Sequence, residues 1–313
     1  MQKFGFVFPG QGSQKLGMLS ELAASAEIVE QTFTEASAAL DIDLWEVAQT
    51  DPNNRLDQTE ITQPALLTAS VAIWRLWQAK TAAKPSILAG HSLGEYSALV
   101  CAEVLQFEDA VKLVHQRGQF MQSAISAGSG KMAAIVGLDN YKINELCEQA
   151  AEDQVVSAAN FNSPGQTVIA GDVAAVERAM ALCKDAGAKR ALPLNVSVPS
   201  HCKLMEPAAD ELKNVLDTIA FQTPRIPIVQ NVDAGISDSA DEIKERLISQ
   251  LFNPVRWTQC LMVLREEGCT SLVECGPGKV LSGLTKRSEP SISSYVTHDP
   301  NSISVALENF QSY

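Results

Sequence analysis

No two cysteines in this 313-residue chain stand at C-x-x-C spacing, and the seven present (Cys101, Cys147, Cys183, Cys202, Cys260, Cys269 and Cys275) are scattered. An odd, unclustered set argues against a disulfide framework or a zinc site and fits a reducing, cytoplasmic setting. Positive charge is also scarce. Lys and Arg total 24 against 37 Asp and Glu, a net charge of −13, which argues against a general nucleic-acid binder but leaves room for a local basic patch that meets an acidic partner. No apolar run reaches the ~20 residues of a membrane span, and the opening residues, broken by Pro9-Gly10, are too short an apolar stretch for a signal peptide. Charged residues make up only 19% against 46% apolar, so a sizeable core is expected rather than wholesale disorder. The length suits one large domain with an insert.

Apolar runs and helical periodicity alternate along the chain. Residues 4–8 read as a buried strand ended by Pro9-Gly10. Helical patterns follow over 16–24, 26–40 and 63–79, the last with Pro64 in its first turn. A short strand over 86–89 precedes Gly90, with helices over 95–104 and from Glu108 to about residue 125. The pattern changes at Ala127-Gly128-Ser129-Gly130. Strands over 131–136, 155–159, 167–170 and 189–194 with helices over 142–151 and 174–186 give the order β-α-β-β-α-β, that of a ferredoxin-like unit. Residues 128–196 are therefore expected to form a small inserted subdomain, and 1–127 with 197–313 the main core. In that core helices over 203–219, 240–252 and 257–268 alternate with strands over 228–231 and 271–274, and a last short helix covers 280–285. Such alternation predicts an α/β fold with a mostly parallel sheet.

Gly90-His91-Ser92-Leu93-Gly94 is a G-x-S-x-G motif between a predicted strand and a predicted helix. That context exposes a serine on a sharp turn and aims a helix N-terminus at developing negative charge. A serine nucleophile needs a base, and only four histidines exist: His91, His115, His201 and His298. His91 adjoins the serine, but neighbouring side chains diverge. His115 lies within a helix and His298 near a polar C-terminal stretch. His201 follows a polar, Pro-bearing loop at the end of the small subdomain, a place from which catalytic groups are often presented. Cys202 beside it reads as an inert buried thiol. Gly276-Pro277-Gly278-Lys279 lacks Walker A spacing and reads as a strand-to-helix turn.

Six motifs occur in order: Pro9-Gly10-Gln11-Gly12-Ser13-Gln14, Gly90-His91-Ser92-Leu93-Gly94-Glu95, Gln116-Arg117-Gly118, Asn162-Ser163-Pro164-Gly165-Gln166, Val198-Pro199-Ser200-His201 and Glu274-Cys275-Gly276-Pro277-Gly278-Lys279. Together they resemble the malonyl-CoA:acyl carrier protein transacylases of bacterial fatty-acid synthesis, over nearly the whole chain. The resemblance implies a hydrolase-like α/β core with a ferredoxin-like insert. It implies ping-pong transfer of malonyl from malonyl-CoA to the phosphopantetheine thiol of acyl carrier protein, with no metal or organic cofactor. Residue by residue, it makes Ser92 the nucleophile and His201 its base. Gln250 sits where the family has an amide that orients the histidine through its carbonyl oxygen. The backbone N–H groups of Gln11 and Leu93 would form the oxyanion hole. Arg117 would pair with the malonyl carboxylate as a planar fork, and Met121, four residues on, would share its helical face.

Two readings compete with this one. A serine esterase would place the acid between serine and histidine, with His298 as base; a non-catalytic acyl-binding subunit would not use the serine. The expected partners are malonyl-CoA and an acidic carrier protein, with no nucleic acid and no membrane, and the expected state is a cytoplasmic monomer. Lys184, Lys189 and Arg190 form one basic group and Lys279, Lys286 and Arg287 another. The first is expected to dock the carrier.

Overall fold

The computed structural model describes residues 3–196 and 198–310. The chain opens with β1 (Lys3–Phe8), buried from its second residue onward. Four helices follow: α1 (Ser20–Ala23), α2 (Ile28–Leu40), α3 (Leu44–Gln49) and the long α4 (Thr59–Lys80). Next come β2 (Ile87–Gly90), α5 (Gly94–Cys101) and α6 (Phe107–Ser123). A second unit then runs β3 (Gly130–Val136), α7 (Asn140–Ala151), β4 (Val156–Ser163), β5 (Gln166–Asp172), α8 (Val173–Asp185) and β6 (Arg190–Pro193). The chain returns through a 3-10 turn at Lys203–Met205 to α9 (Glu206–Leu216), β7 (Ile228–Val229), α10 (Ala240–Gln250), α11 (Trp257–Glu266), β8 (Cys269–Glu274), α12 (Val280–Ser288), β9 (Ser293–Val296) and α13 (Pro300–Phe310).

Two sheets result. The first has the order β7-β2-β1-β8-β9, every neighbouring pair parallel. The second, β4-β5-β3-β6, is antiparallel throughout. The parallel sheet is covered on both faces, as parallel strands require. Phe6 meets Trp74 and Trp77 of α4 edge-on on one side and stacks on Phe8, while Val7, Ile87 and Ala89 face Trp257 and Leu261 of α11 on the other. The antiparallel sheet has its own core against α7 and α8. The units are joined where Phe161 N–H donates to Val255 O at 2.9 Å and Val255 N–H to Ala159 O at 2.9 Å.

Several boundaries differ from expectation for visible reasons. Only Ser20–Ala23 of the 16–24 stretch is helical, because Gly17 and Leu19 adopt left-handed φ of 76° and 61°. Helix α4 starts at Thr59, four residues before the expected start, and Pro64 lies inside it. Proline lacks the N–H that would satisfy the Glu60 carbonyl; His115 Nδ1 donates to that oxygen instead, at 2.7 Å. Gly118 explains how α6 comes so close: a Cβ there would sit 2.4 Å from the Glu60 Cα.

Candidate active site

Ser92 occupies the turn between β2 and α5 with φ of 52°, a left-handed conformation that costs a non-glycine residue about 1–2 kcal/mol. Close packing over-determines it. A Cβ on Gly90 would lie 1.9 Å from the Gly94 carbonyl, and one on Gly94 would lie 2.0 Å from Phe8 O. Asn231 then clamps the turn from behind. Its Oδ1 accepts Ser92 N–H at 2.6 Å and its Nδ2 donates to Gly90 O at 2.6 Å.

His201 reaches the same point from the loop before α9, also with a left-handed φ, 63°. Its Nε2 lies 2.7 Å from Ser92 Oγ, and its Nδ1 lies 2.7 Å from the main-chain oxygen of Gln250. A carbonyl can only accept, so Nδ1 carries the proton and Nε2 accepts from the serine hydroxyl. Burial, with Arg117 nearby, pulls the imidazole down to about 3, so the ring is neutral near pH 7. The carbonyl facing His201 belongs to the Gln250 backbone; the side-chain amide turns elsewhere. Its Oε1 accepts from Arg117 Nη2 at 3.0 Å, and its Nε2 donates to Ser92 O and to Glu95 Oε2, each at 3.1 Å.

Arg117 is only 1% exposed on α6. Gln63 Oε1 accepts its Nη1 at 2.8 Å, and the Tyr96 ring lies 5.3 Å below the guanidinium. Two amide oxygens thus hold the cation, and among the described residues no carboxylate forms an ion pair with it. Gln63 also donates to Met121 Sδ at 3.5 Å, fixing the wall beside the arginine.

These groups border a cleft of about 190 Å³ between the two sheets. Of the residues expected to form the site, Gln11, Ser92, Leu93, Arg117, Met121 and His201 line it, and Gln250 stands behind His201. The N–H groups of Gln11 and Leu93 have no acceptor in the protein among the described residues. Gly10 permits this placement, since a Cβ there would strike His91 O at 2.4 Å.

Other expectations resolve differently. His91 turns away from the serine, stacks edge-on against Trp257 and meets Asn162 Oδ1 at 2.8 Å. His298 pairs with Asp299 at 3.1 Å and does not line the cleft, which removes the base an esterase order would require. Cys202 is buried, donates to Pro199 O, and is raised to about 12 by that burial. The Gly276-Pro277-Gly278-Lys279 turn holds no open anion site, because the buried Glu274 carboxylate already accepts Leu281 N–H at 2.9 Å and Ser282 N–H at 2.7 Å. No group of three or more metal-ligating side chains occurs, and no helix is long and apolar enough to cross a membrane, among the described residues. Sequence reasoning missed Gln63, Asn231 and Glu95. Glu95 closes the serine motif itself, so its position was in view.

The site and fold define an acyltransferase: the profile of the acyl transferase domain family matches residues 5–296. The chain is 57% identical over 308 residues to the malonyl CoA-acyl carrier protein transacylase of Escherichia coli K12, covering 98% of this chain and 100% of that one. It superposes on the malonyl CoA-acyl carrier protein transacylase of Coxiella burnetii with a TM-score of 0.97 and 50% identity, covering 99% and 98% of the two chains. A malonyl-transacylase in complex with its type II PKS acyl carrier protein is 56% identical, with a TM-score of 0.96 over 98% and 99%. The chain belongs to the malonyl CoA-acyl carrier protein transacylase family.

Proposed function

We propose that this chain moves the malonyl group from malonyl-CoA to the phosphopantetheine thiol of acyl carrier protein through a malonyl-Ser92 intermediate, supplying fatty-acid synthesis. One observation carries the reading: a hydrogen-bonded serine–histidine pair and a buried arginine, with no carboxylate ion-paired to it among the described residues, open onto one cleft. His201 Nε2 takes the Ser92 proton as Oγ attacks the thioester carbon. The oxyanion sits between the Gln11 and Leu93 N–H groups. Collapse breaks the C–S bond, and the CoA sulfur leaves with the proton from His201. The carrier thiol then gives its proton to His201 and attacks the ester carbon; the C–Oγ bond breaks, and Ser92 Oγ leaves with that proton returned from His201. No metal or organic cofactor enters these steps.

Arg117 selects the acyl group in two ways. Its fork replaces the hydration of the malonyl carboxylate; acetyl would leave the buried cation without that partner, at a cost of about 1–3 kcal/mol or more. Its charge also depresses His201. A malonyl carboxylate cancels that charge, so the correct substrate strengthens its own base.

The hydrolase-like core at 1–127 and 197–313 and the ferredoxin-like insert at 128–196 complete this reading, and the strand order β4-β5-β3-β6 with two crossover helices supports the insert. The enzyme acts as a cytoplasmic monomer, and the carrier docks on Lys184, Lys189 and Arg190. The test compares malonyl and acetyl transfer to holo carrier protein with loss of each acyl group to water. Malonyl transfer far above hydrolysis is expected; hydrolysis as the main outcome would restore the esterase reading.

A further inference from the structure

The Gln250 amide is gripped at both ends by buried ionic groups. Arg117 Nη2 donates to its Oε1 at 3.0 Å, and its Nε2 donates to Glu95 Oε2 at 3.1 Å. The amide therefore has one permitted orientation, since a flip would set N–H against guanidinium and oxygen against carboxylate. The main-chain oxygen of the same residue receives His201 Nδ1. Glu95 Oε2 also accepts Asn231 N–H at 2.9 Å, and Asn231 is the residue that clamps the Ser92 turn. Gln230 Nε2 donates to Glu95 Oε1 at 3.3 Å. Serine, histidine and arginine are thus each one residue removed from a single carboxylate.

We propose that Glu95 is a positioning residue for acyl transfer, the negative charge that a catalytic triad ordinarily places on histidine, set back by one residue and acting through Gln250 and Asn231. This rests on the malonyl-transfer reading of the site. Glu95 does not touch the substrate. Its charge holds the histidine orienter and the arginine in one frame and offsets the Arg117 cation, which otherwise opposes imidazolium formation.

The ionised form is the one this geometry accepts. All three neighbours donate N–H, and a carboxylic acid would have to turn its own proton toward one of them. Burial opposes ionisation and wins in part, raising the group to about 7 against the pull of those donors and of Arg117. The titratable and charged groups around it are Arg117 on α6, Tyr96 on α5, Cys260 on α11 and, through Gln250, His201. Arg246 of α10 reaches Gln230 Oε1 at 3.1 Å. Arg117 stays charged, Tyr96 and Cys260 stay neutral and His201 is already deprotonated across pH 6–8. The frame therefore loosens as pH falls through about 7.

The experiment measures malonylation of the enzyme by malonyl-CoA, by rapid quench and intact mass, from pH 5.5 to 9 in wild type, Glu95→Gln and Glu95→Asp. Comparison with the variants removes any titration belonging to CoA itself. Wild type gains rate through an inflection near neutrality. Glu95→Gln, isosteric but uncharged, is slower by tenfold or more at pH 8 and lacks that inflection. Glu95→Asp keeps the charge and an inflection while losing rate through its shorter reach, and it carries the test if Glu95→Gln does not fold. A second readout is stability. A carboxyl raised by folding favours the folded state below its ordinary range and loses that contribution as pH rises through about 7. The melting temperature of Glu95→Gln relative to wild type therefore climbs between pH 5 and 8. An unchanged inflection in Glu95→Gln, or the same pH-independent loss in both variants, overturns the proposal. Wild type that takes up no malonyl at any pH overturns the transfer reading instead.

Discussion

The parallel-sheet unit and the antiparallel unit contribute unlike things to the same cleft. Every charged or hydrogen-bonding group assigned a chemical role comes from the parallel-sheet unit and its helices: Gln11, Ser92, Leu93, Arg117, His201 and Gln250. The antiparallel unit supplies Met132, Val168 and Leu194 as apolar wall, with Asn160 and Asn162 at the seam. The difference follows from burial. Strands covered on both faces give a rigid frame whose ends and turns fix polar atoms closely, whereas the antiparallel sheet turns the face opposite its helices toward the cleft, where Met132 and Val168 pack with Cys202. The first unit carries the polar groups of the site, Arg117 included; the second lends the cleft an apolar wall.

Breaking the parallel-sheet side should give the largest losses. Ser92→Ala should abolish both acyl-enzyme and transfer with the fold retained, since only a hydroxyl goes; circular dichroism and a transfer assay check this. His201→Ala should slow acylation by roughly three or more orders of magnitude, because a neutral hydroxyl without a base is a poor nucleophile. His298→Ala should change the rate less than twofold, and a reversal of the two histidine effects would restore the esterase order.

Arg117→Ala comes next and sharpens the comparison, because it separates selectivity from chemistry. Malonyl kcat/KM should fall by about a hundredfold or more, while acetyl transfer holds or rises as His201 is freed from the neighbouring charge. Arg117→Lys should recover only part of the malonyl rate, since a point charge does not copy the fork. Equal losses for malonyl and acetyl would make Arg117 a structural residue.

The antiparallel side should answer more gently. Charge reversal at Lys189 and Arg190, where β6 begins its run toward the cleft-lining Leu194 and Val196, should raise KM for carrier protein severalfold. KM for malonyl-CoA should stay unchanged, with weaker salt dependence of the carrier step. If carrier kinetics do not move, the docking site lies elsewhere, and the Lys279, Lys286 and Arg287 group is the next to test. That group also borders the site: Val280 lines the cleft, and Arg287 reaches Ser163 and Gln166 at the β4–β5 turn.

The two units were not equally legible in the sequence. The β-α-β-β-α-β order of the antiparallel unit was visible because each element carries its own period and turn signals. The serine turn was visible because glycine is forced at 90 and 94 by contacts a Cβ would violate. What escaped notice had signals of its own. Asp43 caps α3 by accepting Glu46 N–H at 2.8 Å, a spacing readable in advance. Helix α13 buries Ile303, Ala306, Leu307 and Phe310, a helical stripe hidden in a polar stretch. Gln63, Asn231 and Glu95 are different. They lie far apart in the chain or, for Glu95, beside a more conspicuous serine, and their roles exist only as contacts across the fold. No local pattern shows that Gln250 presents its backbone, not its amide, to the histidine.

The most direct test of the central claim locates the acyl group. The enzyme is incubated with malonyl-CoA, digested, and the peptides are mapped by mass spectrometry before and after holo acyl carrier protein is added. The account predicts one malonyl increment on the peptide containing Ser92, removed by the carrier with matching malonyl gain on its phosphopantetheine. An increment on any other residue, or one on Ser92 that water removes as fast as the carrier does, would contradict it.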